Sequence, residues 1–475
     1  MSKDLNVDIC VIGGGSGGLS VAAGASQMGA SVVLVEKGLM GGDCLNFGCV
    51  PSKALLAAGH AAQAHNHGGP FGVTYGEPTI DGAAVFDHVR QTVDGIAPLD
   101  SVERFEGLGV IVIQDHARFT GPQEIVAGET RVKARRVVVA TGSAPFVPPI
   151  PGLDQVPYLT NETVFTQDSL PEHLIVIGGG PIGIEMAQAH RHLGCRVTVL
   201  ELFTMMPKDD AELVDVVRRQ LDADGLDIRE GVKIARVEPD GDGVAVILES
   251  GDGGEERIAG SRLLVATGRR PTVDGLDLEK AGVEYSPKGI TVDARLRTSN
   301  KKVFAIGDVT GGLQFTHVSG YHAGVVIKNA LFRLPAKADH SVIPWVTYTA
   351  PELAQVGLTA DQAKAQHGDI KVLRWPFAEN DRARAERTMD GLIKAVVTPK
   401  GKVLGAGIVG PHAGELIQPW VLAMHQKIKI GAIAQMISPY PTLGEVSKRA
   451  AGSFYTASLF GERTKKVVRF LARFG

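Results

Sequence analysis

The stretch Val7-Asp8-Ile9-Cys10-Val11-Ile12-Gly13-Gly14-Gly15-Ser16-Gly17-Gly18 decides how this chain is read. Its apolar half has strand character and passes without a break into a glycine turn. An alanine-rich helical segment follows from Leu19 to Met28, then a second strand from Ser31 to Val35 that ends at Glu36. Strand, glycine turn, helix, strand and acid make up the dinucleotide-binding βαβ unit. Gly13 permits the tight turn, Gly15 lets a pyrophosphate approach the backbone, and Gly18 lets helix and strand pack closely. The helix N-terminus faces the phosphates, and Glu36 can accept from ribose hydroxyls.

The same plan returns downstream. Leu174-Ile175-Val176-Ile177 leads into Gly178-Gly179-Gly180-Pro181-Ile182-Gly183, a helix, and the strand Arg196 to Leu200 ending at Glu201. Glu36 lies 23 residues after Gly13, and Glu201 lies 23 after Gly178. Each half closes with a similar strand, Val137 to Gly142 with Thr141, and Leu263 to Gly268. One glycine turn could be accidental, but two complete units with matched closing strands predict two bound dinucleotides. The proline-rich run Pro145 to Pro157 reads as a linker, because proline disfavours helix in its neighbourhood. Val303-Phe304-Ala305-Ile306-Gly307-Asp308 is a further strand ending in an acid, and from about Ser341 the glycine turns cease. The expected architecture is α/β, with two Rossmann-like dinucleotide-binding domains and a C-terminal α+β domain. The first domain takes residues 1–149 and 271–340, the second 150–270, and the third 341–475.

The 475 residues exceed one domain, and the hydrophobic share of 44% allows ample core. A formal net charge of −3 gives no global field for nucleic acid. Four cysteines in so long a chain do not build a secreted disulfide scaffold. With no apolar run near the length of a membrane span and no signal-peptide pattern at the N-terminus, the expectation is a cytoplasmic protein.

The chemistry is carried by Gly41-Gly42-Asp43-Cys44-Leu45-Asn46-Phe47-Gly48-Cys49-Val50-Pro51-Ser52-Lys53. Two cysteines five positions apart on a glycine-punctuated turn into a helix can close a small disulfide loop. They could also be two buried thiols or half of a zinc site. Zinc needs two further ligands, for which Cys10 and Cys195 are unsuited by their places in core strands.

This segment resembles the active-site segment of the FAD-dependent class I pyridine nucleotide–disulfide oxidoreductases, a family that includes dihydrolipoamide dehydrogenase, glutathione reductase and mercuric reductase. The resemblance spans almost the whole chain. It implies a redox-active Cys44–Cys49 disulfide, with Cys49 facing the flavin and Cys44 as the outer, interchange thiol. It assigns FAD to the first site (Gly13, Gly15, Gly18, Glu36), with Gly42, Thr141, Gly142 and Asp308 in support. NAD(H) falls to the second site (Gly178, Gly180, Gly183, Glu201), with Gly268 and Arg269. Lys53 and Glu185 would pair beside the flavin, and the C-terminal domain would form a homodimer. The implied substrate is a small or protein-borne disulfide or dithiol, with no resident metal. Glu201 favours NADH over NADPH, because a carboxylate accepts from a ribose hydroxyl and repels a phosphate.

The chain departs from the family pattern in two places. Asp43 stands where threonine is usual, and a carboxylate there should raise the Cys44 pKa. The dithiol-handling members carry His-Pro-Thr-x-x-Glu near the C-terminus, whereas this chain has Tyr440-Pro441-Thr442-Leu443-Gly444-Glu445. A phenol is a poor base at neutral pH. Mercuric reductase also has tyrosine there, but it adds a C-terminal cysteine pair, and no cysteine follows Cys195. The main expectation is therefore a dihydrolipoamide dehydrogenase-like enzyme, with a mercuric reductase-like metal-ion reductase as the alternative. A third reading is an electron-transfer flavoprotein docked on a membrane or partner. His317 and His322 are candidate substitute bases or else ordinary packing or surface histidines. The spacing of His60, His65 and His67 fits no single helical face well, which argues against a metal site there. In Lys465 to Phe474, Val467, Phe470, Leu471 and Phe474 fall on one helical face, which suits a peripheral membrane or protein contact, or packing on the chain's own dimer.

Overall fold

A computed structural model describes residues 3–251 and 253–474, so the ends of the first and last expected domains and residue 252 within the second lie outside the described residues. The strand Lys3–Ile12 is the axis of the first sheet. It pairs in parallel with Val32–Glu36 on one side (Ile12 against Val35) and with Thr130–Val139 on the other (Ile12 against Val139). Val110–Gln114 extends the sheet beyond Val32–Glu36, and Val303–Ala305 joins the end of Thr130–Val139. Ile9, Cys10, Val11 and Ile12 are all buried, as a parallel strand covered on both faces requires.

A second sheet repeats the plan. Its order is Asp227–Arg229, Arg196–Leu200, His173–Ile177, Arg262–Val265, all parallel. The helix Ser16–Gln27 follows the first glycine turn and Pro181–His192 follows the second. Pro181 opens its helix, where its missing N–H costs nothing. An antiparallel three-stranded sheet, Ile234–Asp240, Gly243–Glu249 and Glu255–Gly260, completes this half.

The chain divides into two compact units. The first comprises Met1–Phe203 and Asp227–Asp339, the second Thr204–Leu226 and His340–Gly475. The second unit is built on a five-stranded antiparallel sheet with Pro344–Thr347 and Lys371–Pro376 at its edges and Val403–Gly410 at its centre, and Trp420 is fully buried in its core. The helix Ala211–Ala223 belongs to this unit although its sequence neighbours are nucleotide-sheet strands. It buries Leu213, Val214, Val216, Val217 and Leu221, and ion pairs tie its start to the sheet. Lys394 is buried and contacts Asp210 at 2.7 Å and Glu212 at 2.8 Å, while Arg374 meets Glu212 at 2.8 Å. Among the described residues no helix is long and apolar enough to cross a membrane.

Candidate active site

The two glycine turns share one geometry. Gly13 and Gly178 have φ of +111° and +115°, and a methyl on either would strike the carbonyl of Ala140 or Ala266 at the end of the closing strand. Glycine alone satisfies both conditions. A methyl at Gly18 or Gly183 would likewise strike the carbonyl of Gly13 or Gly178. Glu36 accepts from the amide of Gly14 and, at 2.6 Å, of Gly38. Glu201 accepts from Gly179 at 2.6 Å and from Phe203 at 2.9 Å. A methyl on Gly180 would meet nothing within 4 Å, and one on Gly15 would meet only the Cα of Gly42 at 3.8 Å. The amides at both helix N-termini are therefore approachable, and the two cradles fit the pyrophosphates of two dinucleotides.

The thiol segment lies directly on the first turn. Gly41 donates to the carbonyl of Gly14 at 2.9 Å, and a methyl on Gly42 would come within 2.7 Å of the Gly15 Cα. Cys44 rides on the short helix Gly42–Asn46, and Cys49 is the first residue of the long helix Cys49–His67. Both cysteines are thiols here, Cys44 half-buried and Cys49 exposed. The Cys49 pKa is lowered to about 6, mainly by the Cys44 hydrogen bond and also by Thr316 and the charge of Lys53, against burial and Asp43. Cys44 is pushed strongly up, because it gives its proton to that bond and is desolvated beside an anion; Asp43 adds a minor push in the same direction. One thiolate, on Cys49, is the result. Its position at a helix N-terminus favours the anion further.

Lys53 lies one turn along the same helix and meets Glu185 of the helix Pro181–His192 at 2.7 Å, with Glu185 almost fully buried. This ion pair joins the thiol-bearing helix to the helix of the second glycine turn. Thr316, at the start of the helix Thr316–Ala330, lies 3.3 Å from the Cys49 sulfur. Nothing in the sequence singles it out, since it is 267 residues from Cys49.

Asp43 is not a solitary carboxylate. Its Oδ1 meets Arg269 at 2.9 Å and accepts from Asn161 at 3.0 Å, and Asn161 also donates to the Phe47 carbonyl at 3.2 Å. Arg269 further donates to Ser143 Oγ at 2.7 Å, and Ser143 donates to Asp308 at 2.6 Å. Burial pushes the Asp308 carboxyl above the usual range, opposed by Ser143 and Arg269. Arg269, expected among the nucleotide contacts, thus links the segment of the outer thiol to Asp308. Thr141 donates to the Thr272 carbonyl at 2.7 Å, next to Gly142, which is at φ +66°. Gly268 ends the matching strand at φ +133°.

Tyr440 and Glu445 belong to the second unit. Tyr440 is 71% exposed, and its hydroxyl donates to Asp381 at 3.0 Å. Asp381 holds its pKa above the ordinary phenol value, with a smaller push from Glu445. Glu445 is the acid near Tyr440 in sequence; the stronger neighbour, Asp381, is 59 residues away. Of the candidate substitute bases, His322 is buried and accepts from the amide of Gly307, while His317 is exposed and stacks on Phe315. His60 packs against the ring of His192, and His65 bonds the carbonyl of Ala62. Among the described residues no group of three or more His, Cys, Asp or Glu is placed to hold a metal ion.

Comparison with known proteins follows the same division. Residues 7–323 match the family described as pyridine nucleotide-disulphide oxidoreductase, and residues 343–451 match that family's dimerisation domain. The chain is 37% identical over 466 residues to a dihydrolipoyl dehydrogenase of Thermus scotoductus, covering 95% of this chain and 98% of that protein. It is 36% identical over 456 residues to a mercuric reductase of Streptomyces lividans, covering 94% and 96%. Among solved structures, a Cu(II) complex of the HOCl-induced flavoprotein disulfide reductase RclA from Escherichia coli is similar with a TM-score of 0.84 at 28% identity. That alignment covers 93% of this chain and 99% of the other.

Proposed function

Because the chain belongs to the pyridine nucleotide–disulphide oxidoreductase family, we propose that Cys44 and Cys49 are its redox pair, that NADH is its nucleotide, and that its substrate is a small or protein-borne disulfide or dithiol. The enzyme is an FAD- and pyridine nucleotide-dependent oxidoreductase, and its dimerisation domain supports a homodimer. On this reading it works in the cytoplasm. The observation that carries the site assignment is the placement of Cys49 at the start of its helix, 3.3 Å from the Thr316 hydroxyl and on the same helix as Lys53. Cys44 lies on the short helix before it, and these surroundings favour the Cys49 thiolate.

FAD would be held by Gly13, Gly15, Gly18, Glu36, Gly42, Thr141, Gly142 and Asp308. The nicotinamide nucleotide would be held by Gly178, Gly180, Gly183, Glu201 and Gly268. Bound FAD supplies a two-electron relay between the nicotinamide and the thiol pair. Lys53, tied to Glu185, keeps a positive charge near Cys49 and so favours its anion. In reduction of an acceptor, Cys44 loses its proton and attacks one sulfur of the acceptor disulfide. The acceptor S–S bond breaks, one half leaves as a thiolate that takes a proton, and the other half stays bonded to Cys44. Cys49 thiolate then attacks the Cys44 sulfur, closing the Cys44–Cys49 bond and releasing the second acceptor thiolate. Two electrons have passed from the pair to the acceptor.

Oxidising a dithiol runs these steps backward and needs a base for the incoming thiol. By reversibility, the same group must return that proton to the leaving thiolate when lipoamide is reduced. Positioned general bases contribute typically about 10²–10⁴-fold. Tyr440, kept protonated by Asp381, supplies little of that. In stopped flow, NADH should therefore reduce the holoenzyme fast and lipoamide should reoxidise it slowly, with Tyr440→His accelerating only the second step. Native turnover of lipoamide on the order of hundreds per second would refute this, and His317 would be tested next.

A second reading is reduction of a soft metal ion bound by the thiol pair. It is favoured by the tyrosine at position 440 and by likeness to proteins named mercuric reductase and to a Cu(II)-complexed disulfide reductase. Screening the reduced enzyme against lipoamide, glutathione disulfide, Hg(II), Cu(II) and quinones separates the two. Rapid reoxidation by a metal ion alone selects the second.

A further inference from the structure

We infer that the C-terminal helix Glu462–Leu471, with the turn after it, lies in the plane of an anionic lipid surface and docks the enzyme there. The inference stands apart from the choice of redox substrate. Val467, Phe470, Leu471 and Phe474 follow the i, i+3, i+4, i+7 spacing of one helical face, and all are at least half exposed. The rings of Phe470 and Phe474 meet edge to face with centroids 5.2 Å apart. Leu459 and Phe460 continue the exposed apolar surface at the preceding corner.

Lys465, Arg469 and Arg473 follow the i, i+4, i+8 spacing on the opposite face, with Lys466 beside them. Glu462 is the only acid from position 462 onward, against five cations counting Arg463. It meets Lys465 at 3.1 Å and Arg469 at 3.7 Å, which leaves most of the positive charge unanswered. The whole chain carries −3, so this charge is local to the tail.

The occupant follows from both faces together. At 1.5 Å per residue the helix is about 15 Å long, too short to span a bilayer but suited to lying on one. The helix also lies beyond the matched dimerisation domain, which ends at residue 451. A second copy of the helix would cover the apolar stripe but bring the same cations with it. An anionic bilayer takes the stripe at its acyl boundary and answers the cations with its headgroups, which the long lysine and arginine stems can reach.

The test is sedimentation of the FAD-loaded full chain with vesicles of phosphatidylcholine alone or mixed with phosphatidylserine. Binding is expected to the mixed vesicles, and it should weaken in high salt. Phe470→Glu/Phe474→Glu should abolish it, and Lys465→Gln/Lys466→Gln should weaken it roughly tenfold or more. Both variants should keep the FAD content and the NADH–dye activity of the parent, which shows that they fold. Failure of the native chain to bind anionic vesicles overturns the proposal. So does a phenylalanine variant that still binds vesicles but loses its dimer in gel filtration, since the stripe is then a contact between copies.

Discussion

The two glycine turns are nearly one object in two surroundings. Their first glycines share a φ near +110° and the same steric demand from an alanine carbonyl, and both acids, Glu36 and Glu201, hold the amide of the turn's second glycine. The difference is what lies on top. Gly41 and Gly42 press the thiol segment against Gly14 and Gly15, whereas the backbone at Gly180 stands open. A βαβ unit makes a nucleotide cradle. On the proposed function, the segment packed on it separates the cradle that serves the redox centre from the one that docks an exchangeable nucleotide.

The sharpest way to break the comparison is to remove the chemistry that only the first turn carries. Cys49→Ser should lower disulfide turnover by roughly 10³-fold or more. FAD should stay bound, while the long-wavelength thiolate–flavin absorbance of the reduced enzyme disappears. Loss of FAD from this variant would mean that Cys49 has a structural part in the first cradle.

A pair of methyl probes separates the turns themselves. Gly42→Ala would crowd Gly15 at 2.7 Å, so the backbone must shift. A loss of about 1–3 kcal/mol in thermal unfolding is expected, together with weaker FAD retention. Gly180→Ala meets no atom within 4 Å, so stability should hold to within about 0.5 kcal/mol while KM for NADH rises roughly tenfold. Equal melting temperatures for the two variants would contradict the contrast between a turn with the thiol segment packed against it and a turn without one.

Next in size is nucleotide choice. Glu201→Ala should lower kcat/KM for NADH about tenfold and raise it for NADPH, by removing the ribose acceptor and the repulsion of a phosphate together. A native enzyme that already prefers NADPH tenfold would refute the role given to Glu201.

The smallest effect is a titration. The folded Cys49 pKa is lowered to about 6, so the thiolate in the reduced enzyme is present at neutral pH and is lost only as pH falls through about 6. Alkylation rate against pH should show that midpoint, and Thr316→Val should move it upward, because the hydroxyl helps hold the anion. A midpoint at the ordinary thiol value would remove the single-thiolate account.

The local motifs were legible before any coordinates. A strand running into glycines, an acid at a set distance and a second copy of both determine two cradles, because the steric demand at Gly13 and Gly178 and the amide–carboxylate bonds of Glu36 and Glu201 act within one βαβ unit. The cysteine segment was equally plain, since five residues of separation and the helix that starts at Cys49 are sequence-local facts. What only the tertiary structure decided is which distant groups set the charge around that segment. Thr316 reaches Cys49, Arg269 and Asn161 take up the Asp43 carboxylate, and Asp381 outweighs Glu445 at Tyr440. Thr316 and Asp381 start helices, Arg269 starts a strand and Asn161 lies in a turn, all brought close by the fold rather than by spacing. Electrostatic effects depend on distance through space, so the residues that tune this candidate site could not be read along the chain, whereas the motifs it is built from could.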